Sequence, residues 1–174
     1  LIFMASSGLC DTIMNIFFLH RDPVKAAVVQ YNKHVVKMIL ESAQMLCTAH
    51  HLLCPEESDN IPYKIAHKNH PSTVWVRQSA DHYAWLYYHM IALGEEYTKR
   101  YGKTHLTITK CKEVLSKLPG GIFNIGFEEP PQCMPDQYKV DNDAVTAYWN
   151  YYEQEKHSVK NSDEQIITRK CLQT

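Results

Sequence analysis

Between residues 30 and 51 the polar side chains Gln30, His34, Lys37, Glu41, Gln44, Thr48 and His51 recur at alternating steps of four and three. That spacing has the 3.6-residue period of an α-helix and places all seven on one stripe. Val28, Val35, Ile39, Ala43, Leu46 and Cys47 fall away from the stripe and are expected to form the buried side. The ends are marked as well. Asp22 suits an N-cap, Pro23 suits the first helical position, where its missing N–H costs nothing, and Pro55 stops the helix after Leu53. One long helix is therefore expected from Pro23 to about Leu53. Its stripe has two readings, the solvent face of an amphipathic helix or the lining of a cleft. The mixture of His, Lys, Glu and Gln, rather than Lys/Glu pairs alone, keeps the cleft in view.

A second long element follows a polar connection at residues 55–64. Pro71, Ser72 and Thr73 mark its start, and Tyr101-Gly102 its end, with Gly102 in the left-handed cap position. Trp75, His82 and His89 stand seven apart on it, flanked by Trp85, Leu86 and Leu93. This set reads as core, with His82 and His89 as structural histidines rather than ligands. "TKCKEVLSKL" at 109–118 predicts a short helix ended by "PGG". The four prolines and three glycines of residues 119–139 predict an extended loop, wrapped on the core by Phe123, Ile125 and Phe127. "NDAVTAYWNYYEQEK" predicts a last helix that docks through Tyr148, Trp149, Tyr151 and Tyr152. The apolar "NIFFLH" at 15–20 reads as a strand or a buried extended lead-in. The expected fold is all-α, a compact single-domain bundle of three to four main helices with one long Pro/Gly-rich loop.

The totals agree with one globular domain: 174 residues, 45% apolar, 21% charged, net charge -1. The domain is expected to run from 14 to 157, after a leader or extension at 1–13 and before a C-terminal tail at 158–174. The front of the chain is mildly basic and the tail acidic, so any nucleic-acid contact must rest on a local patch. The six cysteines show no CxxC pair or zinc-finger spacing, which favours reduced thiols in a cytoplasmic protein. No stretch has the roughly 18 apolar residues of a membrane span.

Three chemistries stand open. His67 and His70 form HxxH, with His50 and His51 on the preceding helix, a combination able to make a zinc or iron site but without a carboxylate to complete it. "HPST" at 70 and "HLTIT" at 105 fit the H-x-[ST] pattern of two-histidine phosphoesterases. Lys33 and Lys37 on one helix, with Lys64, Lys68 and Arg77 near the start of another, could form a phosphate-binding surface, with His70 as a proton carrier and Trp75 as a stacking ring. No Walker loop, GxGxxG, GxSxG or HExxH occurs, and no cofactor or resident metal is expected.

Over most of residues 14 to 152 the chain resembles the pyrimidine dimer DNA glycosylase family, the phage-type endonuclease V proteins and their bacterial relatives. The likeness lies in "MNIFFLH", in "KHVVK" where the family has Arg-Glu-x-x-Arg, in "YKIAHKNHP" before the second helix, in "YAWLYYHMIALGEEYTKRYG", and in "MPDQYK" before "YWNYY". It is also similar to phage proteins, which would place it in a host cytoplasm. The resemblance implies a helical protein that binds double-stranded DNA, bends it, and attacks the sugar C1′ with a free N-terminal amine. An imine forms, the glycosidic bond breaks, and β-elimination cuts the strand. By the same resemblance Lys33 and Lys37 match the phosphate-binding arginines, and Asn15 would supply the amine only if residues 1–14 were absent. His34 falls at the catalytic glutamate, a departure that matters because a neutral imidazole accepts a proton but carries no fixed negative charge. The alternatives are a non-catalytic viral accessory or DNA-binding protein on the same fold and a His-site metal or phosphoester hydrolase.

Overall fold

The computed structural model describes residues 14–154, so the expected leader at 1–13 and tail at 158–174 lie outside the described residues. Within them the fold is all-α, with no strand. The helices are α1 (Pro23–Val28), α2 (Asn32–Leu53), α3 (Pro71–Gln78), α4 (Ala80–Tyr101), α5 (Leu106–Cys111) and α6 (Ala144–Gln154), joined in places by short 3₁₀ turns. Asp22 caps α1 as expected, its Oδ1 accepting from the backbone N–H of Val24 at 2.8 Å and of Lys25 at 3.2 Å. Gly102 ends α4 at φ +71°, the left-handed conformation that costs glycine nothing.

Each of the two long helices expected from the sequence is broken once. The first breaks at Val29–Tyr31, between α1 and α2. The break is held by Arg100 from α4, whose guanidinium donates to Val28 O at 3.0 Å, Gln30 O at 2.8 Å and Asn32 Oδ1 at 3.0 Å. On the other side the Tyr31 N–H donates to the Tyr152 hydroxyl at 2.7 Å. Backbone groups that an unbroken helix would pair are thus paired by distant side chains. The second break is at Ser79, whose backbone is extended. Its hydroxyl lies 2.7 Å from Gly126 O and 2.8 Å from Asn124 Oδ1, and the Ala80 N–H donates to Phe123 O.

α2 and α4 run antiparallel through the centre, as their end contacts show: His50 meets Tyr83 at one end, and the α1–α2 junction meets Arg100 at the other. Gly94 lets α5 approach α4 closely, since a Cβ there would stand 2.7 Å from Ile108 Cγ1. The lead-in 14–19 is buried and irregular without strand pairing, with a tight turn at Phe17–Leu19, and α6 docks through Tyr148, Trp149, Tyr151 and Tyr152, all buried. The Trp149 indole N–H donates to Leu19 O at 2.7 Å, pinning the lead-in to the last helix.

The histidines of α4 are structural. His89 Nδ1 donates to Pro23 O at 2.9 Å, its Nε2 accepts from the Gln30 amide at 3.0 Å, and its ring stacks on Trp85. His82 Nδ1 donates to Trp75 O at 2.8 Å while its Nε2 accepts from the Glu128 N–H at 2.9 Å. Burial pushes both imidazoles toward the neutral form, His89 down to about 4.

Two expectations about burial are corrected. Val28, assigned to the buried side, is 45% exposed because α1 turns away from the axis of α2. Phe123 and Ile125 do not wrap the loop onto the core. They are 82% and 61% exposed, and backbone and polar contacts at Ser79, Asn124 and Gly126 hold that loop instead. Among the described residues no helix is long and apolar enough to cross a membrane.

Candidate functional site

The polar stripe of the first helices points inward. Gln30, His34, Glu41 and Thr48 are buried, Gln44 and His51 are half-buried, and Lys37 alone of the seven is exposed. The stripe is therefore not the solvent face of an amphipathic helix; most of it is buried against the rest of the fold.

One end of the row is closed by the lead-in. Asn15 Oδ1 accepts from the N–H groups of Ile16 and Phe17 at 2.7 and 3.1 Å, and its Nδ2 donates to Cys133 O at 3.1 Å. Phe17 is held at φ +54°, a conformation that costs an aromatic residue about 1 kcal/mol or more. Its ring lies flat on His34, with centroids 4.4 Å apart and planes 13° from parallel. His34 Nδ1 is hydrogen-bonded with the Tyr152 hydroxyl at 2.8 Å, and Tyr152 stacks on Tyr31. The imidazole expected to do chemistry is thus clamped between aromatic rings.

The other end is the His-Pro corner. Thr48 Oγ1 accepts from the Ala66 N–H at 3.1 Å and fixes the incoming chain. His67 takes φ +44°, and the His70 N–H closes a turn onto His67 O at 3.0 Å. His70 is the N-cap of α3. Its Nδ1 accepts from the Ser72 N–H at 3.1 Å, so neutral His70 carries its proton on Nε2. Ser72 Oγ lies 3.4 Å from Cys133 Sγ, and the carbonyl of that same Cys133 receives Asn15. A chain of contacts therefore joins Asn15 to the His70 corner, with His34 reached through Phe17.

Glu41 lies midway along this row, seven residues from His34 and seven from Thr48, or about 10 Å along the helix in each direction. α3, which the His70 corner opens, packs against α2. Glu41 is 6% exposed, and its Oε2 is buried and hydrogen-bonds nothing. The nearest cation is Lys37 Nζ at 4.0 Å, on a side chain 57% exposed. Burial pushes the Glu41 carboxyl up to about 7, with Lys37 pulling the other way. Three more buried polar atoms on α2 and α3 lack a hydrogen-bond partner: Ser42 Oγ, Thr73 Oγ1 and Arg77 Nη1. Such groups are rare in folded proteins.

The predicted phosphate contacts divide. Lys33, Lys37 and Lys68 are exposed, whereas Arg77 is half-buried and its guanidinium is held below its usual range by burial. Trp75 is a core residue. Its indole N–H donates to Glu128 O at 3.0 Å and its ring stacks on His82 at 4.3 Å, which leaves no open face for a base. Sequence reading placed Glu41 on the stripe but not in the site. The available signal was a carboxylate two turns from His34 in a row of otherwise neutral or basic polar residues.

A separate cavity of about 360 Å³ opens at the far end of α2, lined in part by His50, Glu57, Glu113 and Lys117. His50 Nε2 is already engaged by the Tyr83 hydroxyl at 2.8 Å, and no buried side-chain atom among the lining residues lacks a hydrogen-bond partner. Cys47, Cys54 and Cys111 are buried thiols. Among the described residues no three His, Cys, Asp or Glu side chains gather as a metal site. No family model matches the chain, and no curated protein and no solved structure matches it.

Proposed function

We propose that the protein processes double-stranded DNA in the manner of a pyrimidine dimer DNA glycosylase/AP lyase, acting on damaged or modified bases at the α2 face. One observation carries this reading. Exposed Lys33 and Lys37 stand within about one helical turn of the buried His34, and Lys37 within about one turn of the buried Glu41, so cations able to hold phosphates border groups able to move protons. Lys68 extends the basic rim at the His-Pro corner. The strain at Phe17 and His67, one at each end of the polar row, fits a preorganised site.

A second reading, a non-catalytic DNA-binding protein on the same fold, is favoured by two features. His34 stands where the family has its glutamate, the Met14 side chain is buried, and the buried Asn15 side chain donates to Cys133 O. Borohydride trapping on a duplex with one abasic site separates the two, using chains that start at Leu1 and at Met14. The lyase reading expects a covalent protein–DNA adduct that disappears when the N-terminal amine is blocked. Binding that falls with salt and never yields an adduct supports the accessory reading. Absence of salt-sensitive binding overturns both.

A further inference from the structure

We propose that the cavity at the far end of α2 binds a small zwitterion with an apolar body, the chemistry of a free apolar amino acid, its ammonium held by Glu57 and Glu113 and its carboxylate by Lys117. The proposal goes beyond the DNA-processing reading and does not depend on it.

The cavity is walled by two separate parts of the chain. One wall is the 3₁₀ turn Pro55–Glu57 and the turn after it, where the Ile61 N–H donates to Ser58 O at 3.0 Å. The other is the 3₁₀ turn Val114–Ser116 with its flanking residues Glu113, Lys117 and Leu118. His50, buried, joins the lining through a directed hydrogen-bond chain. Leu115 O accepts only, so the Tyr83 hydroxyl spends its proton there at 2.8 Å and receives the His50 Nε2–H at 2.8 Å. That chain ties α2 and α4 to the second wall and fixes the cavity within the fold.

The lining selects the ligand. At about 360 Å³ the space lies in the range of small-molecule sites. Glu57, Glu113 and Lys117 reach it from the two walls, and none of the three forms an ion pair among the described residues. Burial pushes His50 toward its neutral form, so Lys117 is the cation of the lining. A simple anion meets the repulsion of the two carboxylates, and a simple cation that of Lys117. A ligand carrying both charges matches all three groups. Ile61, Val114 and Leu118 supply the apolar surface, and Leu118, 50% exposed, is the side chain that a ligand covers most.

The test titrates three probes into the whole chain at constant pH, following the His50 ring signals by NMR. They are L-phenylalanine, phenethylamine, which lacks the carboxylate, and 3-phenylpropionate, which lacks the ammonium. L-Phenylalanine should bind with a Kd of about 1 mM, as expected for a ligand of its size. Each truncated probe should bind about fivefold or more weakly. Lys117→Met should abolish the preference over phenethylamine, and the double variant Glu57→Gln, Glu113→Gln the preference over 3-phenylpropionate. Variants that fold and keep both preferences overturn the proposal. So do His50 signals unmoved by L-phenylalanine at about 10 mM, ten times that Kd, or equal affinity for the three probes. The probe series uses the unaltered chain, so it decides the question even where a variant fails to fold.

Discussion

Around His89, between α1 and α4, a fully buried imidazole has both ring nitrogens hydrogen-bonded and a tryptophan stacked on its face. At Glu41 on α2, a buried carboxyl has an oxygen with no hydrogen bond and an ammonium 4.0 Å away. Burial pushes both groups toward their neutral forms, His89 downward and Glu41 upward, but only at His89 is every polar atom of the ring hydrogen-bonded. Its neighbourhood supplies one donor and one acceptor to match one tautomer, and only the neutral amide oxygen of Gln30 goes without a partner. On α2 and α3 the buried atoms without hydrogen bonds include a carboxylate oxygen, two hydroxyls and a guanidinium nitrogen. A satisfied polar network rigidifies a fold, whereas an unsatisfied one costs stability that a ligand or a reaction can recover.

The largest effect should come from breaking the satisfied side. His89→Ala leaves a cavity and strips partners from Pro23 O and the Gln30 amide, and should cost about 4 kcal/mol in chemical denaturation. The imidazole's contribution is also pH-dependent. With its titration moved down from 6.5 to about 4, it is complete above pH 6.5 and is lost as pH falls through 4, with His82 and His50 adding in the same direction. Wild-type unfolding followed across that window should show this loss, and His89→Ala should flatten it.

Glu41→Gln should have the opposite sign and a somewhat smaller size. A carboxyl raised from 4.5 to about 7 burdens the fold only where it must ionise, so its cost is absent below pH 4.5 and complete above pH 7. The variant should gain up to about 3 kcal/mol at pH 8 and nothing at pH 4.5, read as the difference between two denaturation series. A gain that is the same at both pH values would mean that Glu41 is not titrating, and the contrast with His89 would fail.

The smallest effect sharpens the comparison at the rim. Lys37 holds the Glu41 titration down against burial, so Lys37→Ala should raise it further, by less than about one unit, in carboxyl NMR. Under the proposed DNA-processing reading, the same variant should make the salt dependence of duplex binding shallower by about one unit of slope.

Much of the architecture was legible before any coordinates. The Asp22-Pro23 start, the Gly102 stop, the core role of Trp75, His82 and His89, and the docking aromatics of α6 all follow from local rules of capping, periodicity and apolar patterning. The breaks at 29–31 and at Ser79 were not legible, because nothing near them in sequence forbids a continuous helix. They exist because Arg100, Tyr152 and the loop at 123–126 offer their backbone groups better partners. Phe127, at 37% exposure, still touches Trp75 and His82, so the loop keeps one of its three expected aromatic and aliphatic anchors.

For the site, the residue types were readable and their surroundings were not. The 3.6-residue period alone determined that His34, Lys37, Glu41 and Thr48 share one side of one helix. Only the tertiary structure decided that this side turns inward and that Glu41 is desolvated without a hydrogen bond for its Oε2. The reason is one of range. Periodicity acts over a few residues, but whether a polar stripe meets water or protein depends on groups such as Cys133 and Tyr152, which lie 118 residues along the chain from their partners Asn15 and His34.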